Sequence, residues 1–220
     1  MSGSALAERK VSIRIASRSD VGRLRAANED SCGLFDGAGG ARLLIVADGM
    51  GGHRGGATAS QLAVTTIGEV FERRFGAEHF SPVGGIDGDP TSGHTIDGEA
   101  SDGDTRDGNA SIGDTRDGEE TLRRAIEAAN RRIFALARAD PELEGMGTTV
   151  VAFLLEPLKP GLGGAVAHVG DSRAYRHRQG RLEPLTTDHS VVAEMQQRGL
   201  ISAEEALFHP RRNEILRSVG

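Results

Sequence analysis

The chain has 220 residues, a length suited to one domain, and 37% of them are hydrophobic while only 4% are aromatic and none is tryptophan, so a core of Val, Leu, Ile and Ala is expected. A net charge of -6 without a long Lys/Arg run argues against a nucleic-acid or anionic-membrane surface as the main partner. The single cysteine, Cys32, excludes an internal disulfide framework; together with an N-terminus that lacks an apolar signal segment, and no window long enough to span a bilayer, it predicts a cytoplasmic protein.

In chain order, Val11, Ile13 and Ile15 alternate with polar residues, as in a half-buried strand. The residues around Cys32 read as the start of another strand rather than as the surroundings of a catalytic thiol. Leu43 to Ala47 is a continuous apolar run that stops at Asp48-Gly49, which predicts a buried strand delivering a carboxylate at its end. From Ala59, the residues Leu62, Ala63, Ile67, Val70 and Phe71 recur at helical spacing, and a second stripe runs through Leu122, Ala125, Ile126, Ala129, Ile133, Leu136 and Ala137. Strands are predicted over Thr148 to Leu155, Ala165 to Val169 and Arg173 to His177, with Gln179-Gly180 turning the chain into Leu182 to Leu185. Ser202 followed by Glu205 is a capping box for a short helix that Pro210 ends. Hairpin-type connections with two long helices between sets of strands predict antiparallel sheets with segregated helices, an α+β layered domain.

Between the two long helices lies a segment of another kind. From about Gly84 to Glu120 apolar residues almost vanish, and Asp-Gly recurs at 87–88, 97–98, 107–108 and 117–118. Gly103 to Gly108 repeats letter for letter as Gly113 to Gly118. Such a stretch cannot bury enough apolar surface to offset its ordering entropy, so a disordered inserted loop grown by duplication is expected over 84–120. Calcium-binding repeats do not fit: the glycine/aspartate repeat has another period, and an EF-hand loop ends on Glu.

Four constellations could carry chemistry. Arg25 precedes Glu29 and Asp30 by four and five residues; its planar fork suits a phosphate and the carboxylates suit a cation, though alone the segment also reads as an exposed arginine among solvated acids. Asp48-Gly49-Met50-Gly51-Gly52-His53, with Gly55-Gly56 beyond, places a carboxylate among glycines whose carbonyls can approach a ligand. Hard cations such as Mg²⁺ and Mn²⁺ favour that donor set; a glycine-rich tight turn is the alternative, and the Walker phosphate loop is excluded by the missing Gly-Lys-Ser/Thr. Gly145-Met-Gly-Thr-Thr149 precedes an apolar strand, and Thr148 and Thr149 read as turn and strand residues. Val169-Gly-Asp171-Ser-Arg173 repeats the pattern of Asp48, an apolar strand that ends and presents a carboxylate. His168 reads as a strand residue with its polar groups satisfied, and His189, after Thr187-Asp188, as part of a helix start.

Taken in order, these segments resemble the metal-dependent serine/threonine protein phosphatases of the PP2C type, in particular the bacterial branch with Met after Asp-Gly. The resemblance runs from about Ser19 to Gly220 around the repeat loop. It covers Ser19 to Asp30, Asp48 to His53 with Ala59-Ser60, Gly145 to Thr149, Val169 to Tyr175, Leu185 to Ser190, His209 to Asn213 and Ile215 to Arg217. The resemblance implies a central β-sandwich flanked by helices with a binuclear Mn²⁺ or Mg²⁺ centre at one end. Asp48 would bridge the two ions, the Gly49 carbonyl would bind one, Glu29 and Asp30 would act through water, and Asp171 matches a position that helps bind a third ion. Arg25 would take the substrate phosphate, and the segment from about Leu185 to Arg217 would form a flap beside the site. His53 is not carried over, because eukaryotic members place their histidine directly after Asp-Gly, where this chain has Met50.

The mechanism so implied is direct hydrolysis of phosphoserine or phosphothreonine by a water activated between the ions, with phosphorylated proteins, products of a Ser/Thr kinase, as substrates. Family members continue for several dozen residues and supply two further aspartates that 1–220 does not contain. The expectation is therefore a PP2C-type domain over 1–220 that is incomplete at its C-terminus, with an inactive relic acting as a binding module as the alternative.

Overall fold

A computed structural model of the chain describes residues 12–23, 25, 27–51, 54–83, 96–99, 115–158 and 161–220. The apolar run at Leu43 lies in the central strand of an antiparallel sheet. In chain order the strands are β1 (Ser12–Ile15), β2 (Asp30–Gly37), β3 (Arg42–Met50), β4 (Ala77–Val83), β5 (Ile96–Glu99), β6 (Gly147–Thr148), β7 (Val150–Leu158), β8 (Gly161–Val169), β9 (Tyr175–Arg178) and β10 (Arg181–Pro184). The large sheet has the order β4-β2-β3-β7-β8, with β6 on the far end of β3. Every pairing is antiparallel, and β1–β5 and β9–β10 form two-stranded pairs. The layered α+β arrangement of antiparallel sheet and segregated helices is thus the observed one.

The helices are α1 (Gly55–Phe75), α2 (Thr115–Ala139), α3 (Val191–Gln197) and α4 (Ala203–Phe208). The two long ones pack together over one face of the sheet. Their stripes (Ala59, Ala63, Ile67 and Phe71 from α1; Leu122, Ala125, Ala129 and Ile133 from α2) meet Leu43, Ile45, Val150, Ala152 and Leu154 in one apolar cluster. Leu136, counted in the second stripe by its spacing, turns outward and is exposed, and the half-buried Ala137 takes its place. Aliphatic residues dominate this core, as composition requires; Phe35, Phe71 and Phe75 add the aromatic contacts. No helix among the described residues is long and apolar enough to cross a membrane.

Local signals are realised closely at the C-terminal end. Gln179 and Gly180 both adopt positive φ, 51° and 76°, the turn geometry that joins two right-twisted strands with least splay. Ser202 Oγ accepts the Glu205 N–H at 3.2 Å while Glu205 Oε2 accepts the Ser202 N–H at 2.7 Å, completing the capping box.

Three departures from expectation have physical causes. Strand β3 does not stop at Ala47: Asp48 pairs with Asp30, and Gly49 and Met50 pair with β6, so partners from two elements hold the ladder on through the Asp-Gly segment. Helix α2 begins at Thr115, inside the segment expected to be a loop. Asp117 lies in its first turn, where a carboxylate suits the helix dipole, and pairs with Arg74 of α1; Gly118 is buried against Glu156 and Ala165. The Asp97-Gly98 copy lies in β5, paired with β1, while the Asp-Gly copies at 87–88 and 107–108 lie outside the described residues.

Candidate metal and phosphate site

The site is assembled at one end of the sheet. Strands β2 and β3 run antiparallel with Asp30 opposite Asp48, so the two carboxyls face each other at close range. Partial burial pushes the Asp48 carboxyl above its ordinary value, and the charge of Asp30 adds to the rise. The guanidinium of the exposed Arg25 lies close enough to oppose that shift, which places its positive charge beside the pair.

Glu29 is drawn in by the backbone. Its carbonyl accepts the Gly49 N–H at 3.2 Å and the Ser60 hydroxyl at 2.6 Å, and Ser60 is fully buried on α1. The Glu29 carboxylate lies over the first turn of α1: a Cβ added to Gly56 would stand 2.7 Å from Glu29 Oε2. The partly unsatisfied N–H groups of a helix N-terminus favour negative charge there. Gly49 has no room for a side chain, since its Cβ would fall 2.1 Å from the Gly56 carbonyl oxygen and 2.6 Å from that of Glu29. The glycines after Asp48 thus let strand β3 and helix α1 touch through their backbones.

Asp171 follows β8 and reaches the same region from the other side. Burial raises its carboxyl most, and the charges of Asp188 and Asp48 add to the rise, against its own backbone N–H and, more weakly, Arg173. Arg173 is held by Asp188 in a two-point contact, Nε to Oδ1 at 2.8 Å and Nη2 to Oδ2 at 2.6 Å. His168 and His189 stack with ring centroids 4.6 Å apart. His168 Nε2 bonds the Thr187 carbonyl at 2.7 Å, so it is a satisfied strand residue. His189 lies just before α3 rather than in it: the N-cap is Ser190, whose hydroxyl accepts the Ala193 N–H. The His189 N–H donates to the Gly170 carbonyl at 2.9 Å, and the Gly170 N–H donates to His189 Nδ1 at 3.2 Å, fastening the segment after β10 to the Asp171 turn.

Arg25, Glu29, Asp30, Asp48 and Gly49 therefore come together, and Asp171 stands near enough for its charge to be felt at Asp48. Among the described residues no three His, Cys, Asp or Glu side chains close into a cluster, so the carboxylates form a facing pair with neighbours rather than a finished cage. His53 lies outside the described residues. The oxygen-only set suits a hard dication, which would relieve the repulsion between Asp48 and Asp30. Thr149, which reads from the sequence as a turn or strand residue, accepts the Asp48 backbone N–H on its hydroxyl and bonds the Ser172 hydroxyl, so it ties the Asp48 strand to the Asp171 turn. The signal was a hydroxyl residue beside an apolar strand, but the Asp48 partner of Thr149 is 101 residues away.

A family model described as protein phosphatase 2C matches residues 23–215. The chain belongs to the protein phosphatase 2C family. This family member is 34% identical over 203 residues to the serine/threonine phosphatase stp of Listeria welshimeri, covering 92% of this chain and 65% of that protein. It thus spans less than two thirds of the length of that relative. Among solved structures, the serine/threonine phosphatase of S. agalactiae superposes with a TM-score of 0.69 at 31% identity, over 96% of this chain and 69% of that one. The catalytic domain of the serine threonine protein phosphatase PstP in complex with 2 manganese ions does so with a TM-score of 0.58 at 29% identity, over 95% and 66%.

Proposed function

We propose that the protein is a metal-dependent protein serine/threonine phosphatase of the cytoplasm, acting on phosphoserine and phosphothreonine placed on proteins by a Ser/Thr kinase. The observation that carries this reading is the Asp30–Asp48 pair with the charge of Arg25 beside it. Two carboxylates pressed together at the end of a buried strand are costly unless a cation or a proton separates them, and an arginine next to a cation site completes a pocket for a phosphate dianion. The manganese in the PstP structure and the phosphatase names of the relatives support the same assignment.

In this reading Asp48 would be the central carboxylate holding two Mn²⁺ or Mg²⁺ ions, the Gly49 carbonyl, Glu29 and Asp30 would add oxygen donors, and Asp171 would help hold a third ion. When bound, the ions supply the Lewis acidity that makes water nucleophilic at neutral pH. The chain itself contributes positioning and charge. Asp48 and Asp30 keep the metal-facing end of the sheet anionic. Arg25 takes two phosphate oxygens in its planar fork and balances charge as the phosphorus is attacked.

Phosphate release from a phosphothreonine peptide tests the proposal. Release should require Mn²⁺ or Mg²⁺, cease with EDTA and be lost in Asp48→Asn. Release that survives both EDTA and Asp48→Asn would overturn it.

A further inference from the structure

We infer that Thr149 is a positioning residue that holds Asp48 in register with Asp171, so that the two carboxylates can share one metal centre. The inference rests on the metal reading of Asp48 and Asp171 given above. Thr149 is 1% exposed and sits between β6 and β7, where the ladder beside β3 changes partner. Its Oγ1 accepts the Asp48 backbone N–H at 3.1 Å. Its own N–H donates to the Asp48 carbonyl at 2.9 Å, and the fully buried Thr148 hydroxyl donates to that same carbonyl at 2.9 Å. Both peptide groups of Asp48 are thus held by this threonine pair.

The contact that makes Thr149 more than a backbone clamp lies on its other side. Thr149 Oγ1 is 2.7 Å from Ser172 Oγ, and Ser172 directly follows Asp171. One hydroxyl therefore connects the backbone of the first carboxylate with the residue beside the second. Metal sites tolerate little error in the placement of their donors, and groups that orient donors without touching the metal matter accordingly. A valine would fill the same volume but leave the Asp48 N–H without its acceptor and release Ser172.

The test is Mn²⁺ affinity measured by calorimetry on the 220-residue chain, with folding followed by circular dichroism. Thr149→Val should weaken binding about tenfold or more, within the usual 10–100-fold effect of groups that orient metal donors. Thr149→Ser, which keeps the hydroxyl, should bind as the unaltered chain does. Adding Ser172→Ala to Thr149→Val should cost nothing further, because one connection is lost only once. Thr149→Val binding like the unaltered chain while Asp48→Asn loses Mn²⁺ would overturn this inference alone. Asp48→Asn binding normally would overturn the metal reading and the inference with it. If Thr149→Val does not fold, Ser172→Ala decides: a drop in Mn²⁺ affinity supports the connection and unchanged affinity overturns it.

Discussion

Asp30 and Asp48 stand opposite each other on antiparallel strands, close enough for the charge of Asp30 to raise the Asp48 carboxyl. Two acids side by side cost stability in the metal-free protein unless a proton or a cation separates them. Burial and Asp30 raise the Asp48 carboxyl, so the folded chain holds that proton more tightly than the unfolded one. The stabilisation belonging to the protonated form is present at acid pH and is lost as pH rises through the folded value. In EDTA, thermal melts should therefore show Asp48→Asn becoming more stable than the unaltered chain as pH climbs from 4 to 7, with Mn²⁺ reversing the order. A difference that does not change with pH would contradict this electrostatic account.

Arg25 should act on substrate rather than on fold. Exposed and outside any strand, it has little packing to lose. Arg25→Ala should raise KM for a phosphopeptide while leaving the melting temperature within about a degree or two, as expected for surface substitutions. Lys should restore little, because an ammonium lacks the planar two-point fork. Steady-state kinetics decide this: full recovery with Lys would count against two-point contact with the phosphate.

Gly49→Ala should be among the most damaging single-methyl additions. The new Cβ would meet the Gly56 carbonyl oxygen at 2.1 Å, and that atom belongs to a helix backbone that cannot rotate aside. Overpacking of this kind costs typically 1–3 kcal/mol, and the rigidity of both neighbours puts this case at about the upper end. Urea unfolding measures it; a loss below about 0.5 kcal/mol would show that α1 can shift away at little cost.

The repeat segment should tolerate shortening up to, but not into, α2. Replacing 100–114 with a short Gly/Ser linker should change stability by only about 0.6 kcal/mol per halving of length. Extending the replacement through Gly118 removes the Asp117–Arg74 pair and unseats Gly118 from Glu156 and Ala165, so the melting temperature should fall further. Equal melting temperatures for the two replacements would mean that the first turn of α2 contributes nothing.

What the sequence determined by itself is local. The capping box at Ser202 and Glu205, the turn at Gln179-Gly180 and the two amphipathic stripes are set by residues within a few positions of one another, so their geometry follows from spacing alone. The motifs that place the chain in its family are likewise short and ordered, which is why Asp48, Asp171, Glu29, Asp30, Gly49 and Arg25 could all be marked as site residues. Only the tertiary structure decided how they meet. Asp30 faces Asp48 because β2 and β3 pair in one register, a relation that a one-residue slip would destroy. The Thr149 hydroxyl reaches Asp48 and Ser172 from a strand far along the chain. Gly118, a turn signal by composition, lies in a helix whose packing buries it beside Glu156, Ala165 and Leu154. Long-range burial and hydrogen bonding decide such contacts, and at those positions they outweigh local propensity.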